Sequence, residues 1–237
     1  MSNNYRSILN AQGSSFTNTK SIELDGVDDF VSLGTASSLE FTSDFSISAW
    51  IKDIGNLNRG IICCSNRSAS NGWQMQRTST NKVSFYSGAR TATSTTSINT
   101  GAWFHVLATW EKDTPSEPSF GNRVRIYVNG VLEGTSTRVS TSAPTYTGTI
   151  VKEIGFPYGG TNYFRGHIDE VAAFDKLLTS SEISNIYNGG VPNDIASLSP
   201  VSWWRFEGTG TTATDSGSGG NNGTLENSAA RTTDVPT

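Results

Sequence analysis

The chain has 237 residues, 35% of them hydrophobic, with a formal net charge of −4 and a pI near 5.2. That length suits one large all-β domain or two small ones, and an acidic balance gives a nucleic-acid partner no electrostatic footprint. No apolar run approaches the ~20 residues that cross a bilayer, so membrane insertion is not expected.

The first twenty residues are polar, with Ile8, Leu9 and Phe16 as apolar anchors. They read as an N-terminal arm (1–20) able to dock on a partner chain. They lack the basic region and apolar core of a signal peptide, so the expectation is synthesis in the cytoplasm and no signal-dependent export. In SIELDGVDDFVSLG, Ile22 and Leu24 alternate, Asp25-Gly26 turns, and Phe30, Val31 and Leu33 resume. FSISAWIK (45–52) is a strand with Phe45, Ile47, Ala49 and Ile51 on one face. GIICC, WQMQR and KVSFYSG give three more, and residues 89–100 read as a loop or weak edge strand. The adjacent Cys63-Cys64 would point to opposite faces of a strand. They exclude a disulfide framework and a cysteine-based zinc site.

WFHVLATWEK (103–112) is apolar on both faces and should lie centrally. VRIYVNGVLEG is a hairpin turned by Asn129-Gly130, the favoured pair of a type I′ turn. TIVKEIGF adds a strand. FRGHIDEVAAFDKLLTSSEISNIYNGG (164–190) then switches from period 2 to period 3.6, and Thr179-Ser180-Ser181-Glu182 forms a capping box. Leu178 and Ile183 can close a hydrophobic staple, with Gly189 as the left-handed exit. Beyond Gly190, VSWWRFEG (201–208) is too apolar to be left in water and should return a strand (201–207) to the main body, ahead of a Gly/Ser/Asn-rich flexible tail. Short strands with turns between them predict an all-β, two-sheet antiparallel sandwich with one short helix near 179–188.

Five of these motifs, SIELDGVDDFVSLG, FSISAWIK, WFHVLATWEK, VRIYVNGVLEG and FRGHIDEVAAFDKLLTSSEI, stand in the order seen in laminin-G-like, concanavalin A-like jelly-roll domains. This resemblance covers roughly residues 21–188 and implies a jelly-roll domain over 21–190. It says less about function, because the fold hosts lectins, glycosidases, adhesion modules and structural parts. In many members a segment like WWRFEGTGTTATDSGSGGNNGTL precedes the DG-x-DD motif; here it follows the helix. Either it fills the first-strand slot of its own sandwich, which nearby termini favour, or it serves a neighbouring copy. That order also resembles laminin-G-like proteins of tailed-phage virions, which implies a virion-surface module whose partners are glycans or other capsid and tail proteins, with a homo-oligomer allowed.

The resemblance further implies a structural Ca²⁺ bridging early and late strands, with Asp25, Asp28, Asp169 and Glu170 as ligands. Ca²⁺ takes six to eight oxygens at ~2.3–2.6 Å, and a divalent ion relieves carboxylate repulsion. The alternative is that these acids cap turns and accept backbone amides. Laminarinase-like hydrolases of the superfamily carry E-x-D-x-x-E, and Glu23-x-Asp25-x-x-Asp28 approximates it. The third acid is shorter here and Gly26 interrupts the strand, so no catalytic residue is assigned. Binding is the favoured reading: Trp73, Tyr86, Tyr146, Tyr158 and Tyr163 are candidates for stacking on sugar rings, with Asn162 hydrogen-bonding beside them. GFPYGGTNYF (155–164) is the most site-like loop. The competing readings are aromatics that merely cap the sandwich, a subunit that binds only protein, and a glycosidase.

Overall fold

The computed structural model describes residues 16–55, 58–66, 71–88, 90–112, 121–137, 143–156 and 160–237. Strands are numbered in chain order. The first sheet runs β10 (Val131–Thr135), β9 (Arg123–Val128), β8 (Phe104–Glu111), β3 (Phe45–Asp53), β12 (Arg165–Phe174), β1 (Ser21–Asp25) and β16 (Ala230–Thr232), with β13 (Ser202–Trp204) also on β12. The second runs β14 (Thr212–Ala213), β15 (Gly223–Glu226), β2 (Phe30–Ser32), β11 (Val151–Ile154), β4 (Arg59–Ser65), β5 (Gly72–Arg77), β6 (Val83–Ser87) and β7 (Arg90–Thr93). Every strand-to-strand pairing is antiparallel. The described residues form a two-sheet antiparallel sandwich with one short α-helix, the architecture that the jelly-roll resemblance leads one to expect.

Alternation explains the core. Phe45, Ile47, Ala49 and Ile51 of β3 point inward with Val106, Ala108 and Trp110 of β8. They meet Ile62, Cys64, Trp73, Met75, Val83 and Phe85 from the second sheet. Each large side chain removed from water here contributes about 1.5–3 kcal/mol before entropy is counted. Both cysteines are buried and unbridged, and burial pushes the Cys64 thiol up to about 12, so it stays protonated and unreactive. Residues 90–93 form an edge strand of the second sheet.

The outer face of the first sheet carries a third layer. Helix α1 (Ser180–Tyr187) starts at the expected capping box: Thr179 accepts from the Glu182 amide while the Glu182 carboxylate accepts from Thr179. Leu178, Ile183 and Ile186 pack on Leu107, Ala172, Phe174 and Trp203. Asn188, not Gly189 alone, takes the left-handed exit, at φ 46°. Tyr187 stacks near Trp50 and His105, at ring separations of 6.0 and 6.1 Å. Among the described residues the imidazole of the fully buried His105 bonds the Ser48 hydroxyl, at 2.8 Å. Burial holds its imidazole neutral, with its pKa lowered to about 3.

The expectation of a flexible tail after residue 207 is corrected. Residues 212–232 supply β14 and β15 to the second sheet and β16 to the first. Asp215 organises the Gly/Ser/Asn-rich turn by accepting from the amides of Trp203, Gly217 and Asn221. Arg231 donates to the carbonyls of Phe206, Gly210 and Thr212. Asp234 accepts from Lys52 at 2.5 Å and from Trp103 at 3.0 Å. β1 and β13 occupy successive halves of one edge of β12: Ile22 lies opposite Ile168, and Trp204 opposite Val171. Between them the β12 register slips at a bulge containing Glu170, whose φ is 46°.

Candidate ligand site at the sandwich rim

The turn from β1 to β2 is built by its own acids. Asp25 accepts from the Val27 amide at 2.7 Å, an Asx turn, and Gly26 takes φ 78°. A side chain at Gly26 would meet Arg165 at 2.7 Å and Arg59 at 2.8 Å, so glycine is required by both conformation and space. Asp29 is 2% exposed and accepts from the amides of Asp25 and Ser228. Asn227 donates to the Asp28 carbonyl at 2.6 Å, so the β15–β16 turn buttresses the acidic one.

This geometry brings the carboxylates of Asp25, Asp28 and Asp29 within 4.8 Å of one another. Burial pushes the Asp29 carboxyl up, and the Asp25 and Asp28 charges push it the same way against its two amide donors. Three clustered carboxylates could hold a divalent cation and would be relieved by one; carbonyls and water would complete a Ca²⁺ shell. The donor set fits such an ion in type, with Asp28 and one Asp25 oxygen least committed to the turn.

Asp169 and Glu170 do not join it. Asp25 lies opposite Arg165, and Asp169 is four positions further along β12, about 13 Å at ~3.3 Å per residue. Asp169 accepts from Asn18 and from the Glu170 amide, both at 2.8 Å. Glu170 accepts from Trp203 at 2.5 Å and Arg205 at 3.3 Å. The expected four-ligand bridge from Asp25 to Asp169 is therefore corrected to a local cluster of Asp25, Asp28 and Asp29.

The expected aromatic set also separates. Trp73 is 1% exposed, lies in the core and donates its indole N–H to the Leu39 carbonyl at 2.8 Å. It is no loop platform. Tyr146 caps the core and gives its hydroxyl to the Phe41 carbonyl at 2.7 Å; burial pushes its phenol up. Tyr86 is half-buried opposite Gln74 on β5, four strands from β2, about 19 Å at ~4.8 Å per strand. Tyr158 lies outside the described residues.

Tyr163 lies beside the acidic turn, and Asn162 directly precedes Tyr163 in the chain; both are half-buried. The Tyr163 ring sits 6.2 Å from Phe30, which follows Asp29 directly. Arg59 donates to the Tyr163 carbonyl and its guanidinium also borders Gly26, tying loop and acidic turn together. Val27 is 70% exposed at the tip of the turn. Sequence reading missed Phe30 and Arg59 as parts of this place, because strand neighbours across the sheet leave no local signal. Asp29 carried one, the second acid of DG-x-DD.

No curated protein matches the chain in sequence. Among solved structures, a candidate carbohydrate-binding protein from Bacteroides ovatus superposes with a TM-score of 0.66 at 21% identity, over 93% of this chain and 62% of that one. The chain thus spans under two thirds of that relative. Ruminococcus gnavus IT-sialidase CBM40 bound to α2,3-sialyllactose gives 0.56 at 14% identity, over 72% of this chain and 96% of that one. A heptameric pentraxin from Limulus polyphemus gives 0.50 at 18% identity, over 72% and 82%. At these identities the likeness is one of fold. The family model described as the concanavalin A-like lectin/glucanases superfamily matches residues 25–184, and the chain belongs to that family.

Proposed function

We propose that this chain is a non-enzymatic carbohydrate-binding module whose ligand sits at the rim formed by the Asp25–Asp29 turn and the Asn162–Tyr163 loop end. The observation that carries the reading is the juxtaposition of three carboxylates with the Phe30–Tyr163 pair. Vicinal sugar hydroxyls can complete the shell of a Ca²⁺ ion held by Asp25 and Asp28, while the apolar C–H face of the ring packs on Tyr163. The binding of sialyllactose by the Ruminococcus CBM40 supports a glycan ligand on this architecture. A hydrolytic role is disfavoured because one Asp25 oxygen is held by turn amides and Gly26 breaks the strand between Asp25 and Asp28.

The same reading sets the module at a virion surface, where it contacts glycans or neighbouring virion proteins, in one or several copies. That setting rests on the order of its sequence motifs. A glycan array probed with Ca²⁺ and then with chelator tests the function. Binding that falls at least tenfold in Tyr163→Ala and in Asp28→Asn supports the rim; hits unaffected by either substitution, or no hits, would remove it.

A further inference from the structure

Four asparagines of the chain are followed directly by glycine: Asn71, Asn129, Asn188 and Asn222. Such a pair can rearrange, because glycine brings no Cβ to keep its amide nitrogen away from the asparagine carboxamide. The fold treats the pairs differently. Asn71 is 8% exposed; its carboxamide donates to the Thr147 carbonyl at 2.7 Å and accepts from the Thr147 amide at 3.2 Å, and the Gly72 amide donates to the Thr145 carbonyl at 2.8 Å. Asn129 accepts from the His105 amide at 2.9 Å through its side chain and gives its own amide to the His105 carbonyl at 2.8 Å. The Asn222 side chain accepts from the Asp215 amide at 2.9 Å, and Gly223 is buried in β15.

Asn188 is the exception. It is exposed, and among the described residues nothing hydrogen-bonds its carboxamide. It ends α1 in the left-handed conformation, at φ 46° and ψ 42°, and its amide donates to the Ser184 carbonyl. Gly189 and Gly190 follow at φ 68° and 115°, and a side chain added at Gly189 would meet nothing within 4 Å. The last turn of a helix is also where backbone bonds open most readily. A free carboxamide and an uncrowded glycine nitrogen thus coincide at the exit of α1.

We propose that Asn188 is a site of spontaneous covalent modification, with water as co-reactant, that converts it to isoaspartate or aspartate. The Gly189 amide nitrogen loses its proton to hydroxide and attacks Cγ of Asn188. The Cγ–Nδ2 bond breaks, and the nitrogen takes a proton from water and leaves as ammonia, closing a succinimide. Water then breaks either the new bond, leaving aspartate, or the original peptide bond, leaving isoaspartate with the chain routed through Cγ. Either product puts a carboxylate at the C-terminal end of α1, where the helix dipole is already negative, and isoaspartate also lengthens the main chain at the left-handed exit. Tyr187, the residue before, lies near Trp50 and His105, and a side chain at Gly130 of the β9–β10 hairpin would meet its ring at 3.1 Å. The modification therefore loosens the third layer from the Tyr187 end, slowly and in one direction only.

Peptide mapping by mass spectrometry, with electron-transfer fragmentation to separate isoaspartate from aspartate, tests this on the full chain aged at mildly alkaline pH, folded and in urea. Unfolded, all four pairs should convert at comparable rates. Folded, Asn188 should convert while Asn71, Asn129 and Asn222 lag it by at least about tenfold, the effect of having to open one or two hydrogen bonds first. Hydrogen exchange at the Ile186 and Tyr187 amides should quicken in the aged protein. It should not in aged Asn188→Gly, which keeps the left-handed exit and has no carboxamide. A folded chain in which Asn188 stays intact, or in which the other three convert as fast, overturns the proposal, and so does an aged protein whose exchange at Tyr187 is unchanged.

Discussion

Replacing Trp204 by alanine should destabilise the protein by about 3–5 kcal/mol, the range for removing a large aromatic from a packed core. Trp204 has no exposed surface and belongs to the main core cluster. It pairs with Val171 of β12, bridges to Asp215 and donates its indole N–H to the Asn221 carbonyl at 2.8 Å. The substitution therefore leaves a cavity between the sheets, an acceptor without its donor in a turn already crowded with glycines, and a loosened β13. Against a typical domain stability of about 5–15 kcal/mol this is a large fraction. At roughly 2–4 °C per kcal/mol for a chain of this size, the melting temperature should drop by about 6–20 °C. Urea unfolding followed by tryptophan fluorescence and by circular dichroism, at two protein concentrations, measures it. A loss under about 1 kcal/mol would refute the packing of the C-terminal segment into its own sandwich. A loss that appears only at high concentration would point instead to a strand donated to a neighbouring copy.

Other predictions are more local. His105 is neutral when folded, with a value near 3, against about 6.5 when unfolded. Its contribution is complete above pH 6.5 and is lost as pH falls toward 3, by up to about 1.4 kcal/mol per pH unit. His105→Phe should flatten the stability profile between pH 4 and 6, and a slope equal to that of the wild type would contradict this. Thr179→Ala removes the capping box and should cost about 1 kcal/mol in chemical denaturation; no measurable change would mean that α1 is held by packing alone. Arg77 and Asp53 form an ion pair at 2.8 Å with both side chains fully buried, so Arg77→Met should cost about 3–5 kcal/mol by stranding the Asp53 charge. Adding Asp53→Asn should restore part of that stability, and a double variant weaker than the single one would overturn the pairing argument.

The sandwich was legible because its long strands alternate cleanly. FSISAWIK and WFHVLATWEK each place a continuous apolar row on one face, and the Asn129-Gly130 hairpin and the Thr179–Glu182 capping box are local signals that need no partner. The strands of residues 212–232 were hidden for the opposite reason. At two to four residues each they are too short to show a period, and what orders the turn before β15 is one buried carboxylate, Asp215. Trp73 could have been read correctly, since WQMQR sets Trp73 and Met75 on one face with Gln74 and Gln76 on the other. The site was only half legible. DG-x-DD marks its acids within one turn, but whether Asp169 meets Asp25 depends on the offset of β12 against β1. A four-residue difference in register separates the two groups completely.

The central claim is that the rim holds the glycan, and a crystal structure of the full chain soaked with Ca²⁺ and an oligosaccharide taken from array hits tests it most directly. The account predicts an ion between Asp25, Asp28 and Asp29, with a sugar ring resting against Tyr163 and Phe30. A sugar bound instead on the outer face of the second sheet around Tyr86, with the acidic turn unoccupied, would contradict it.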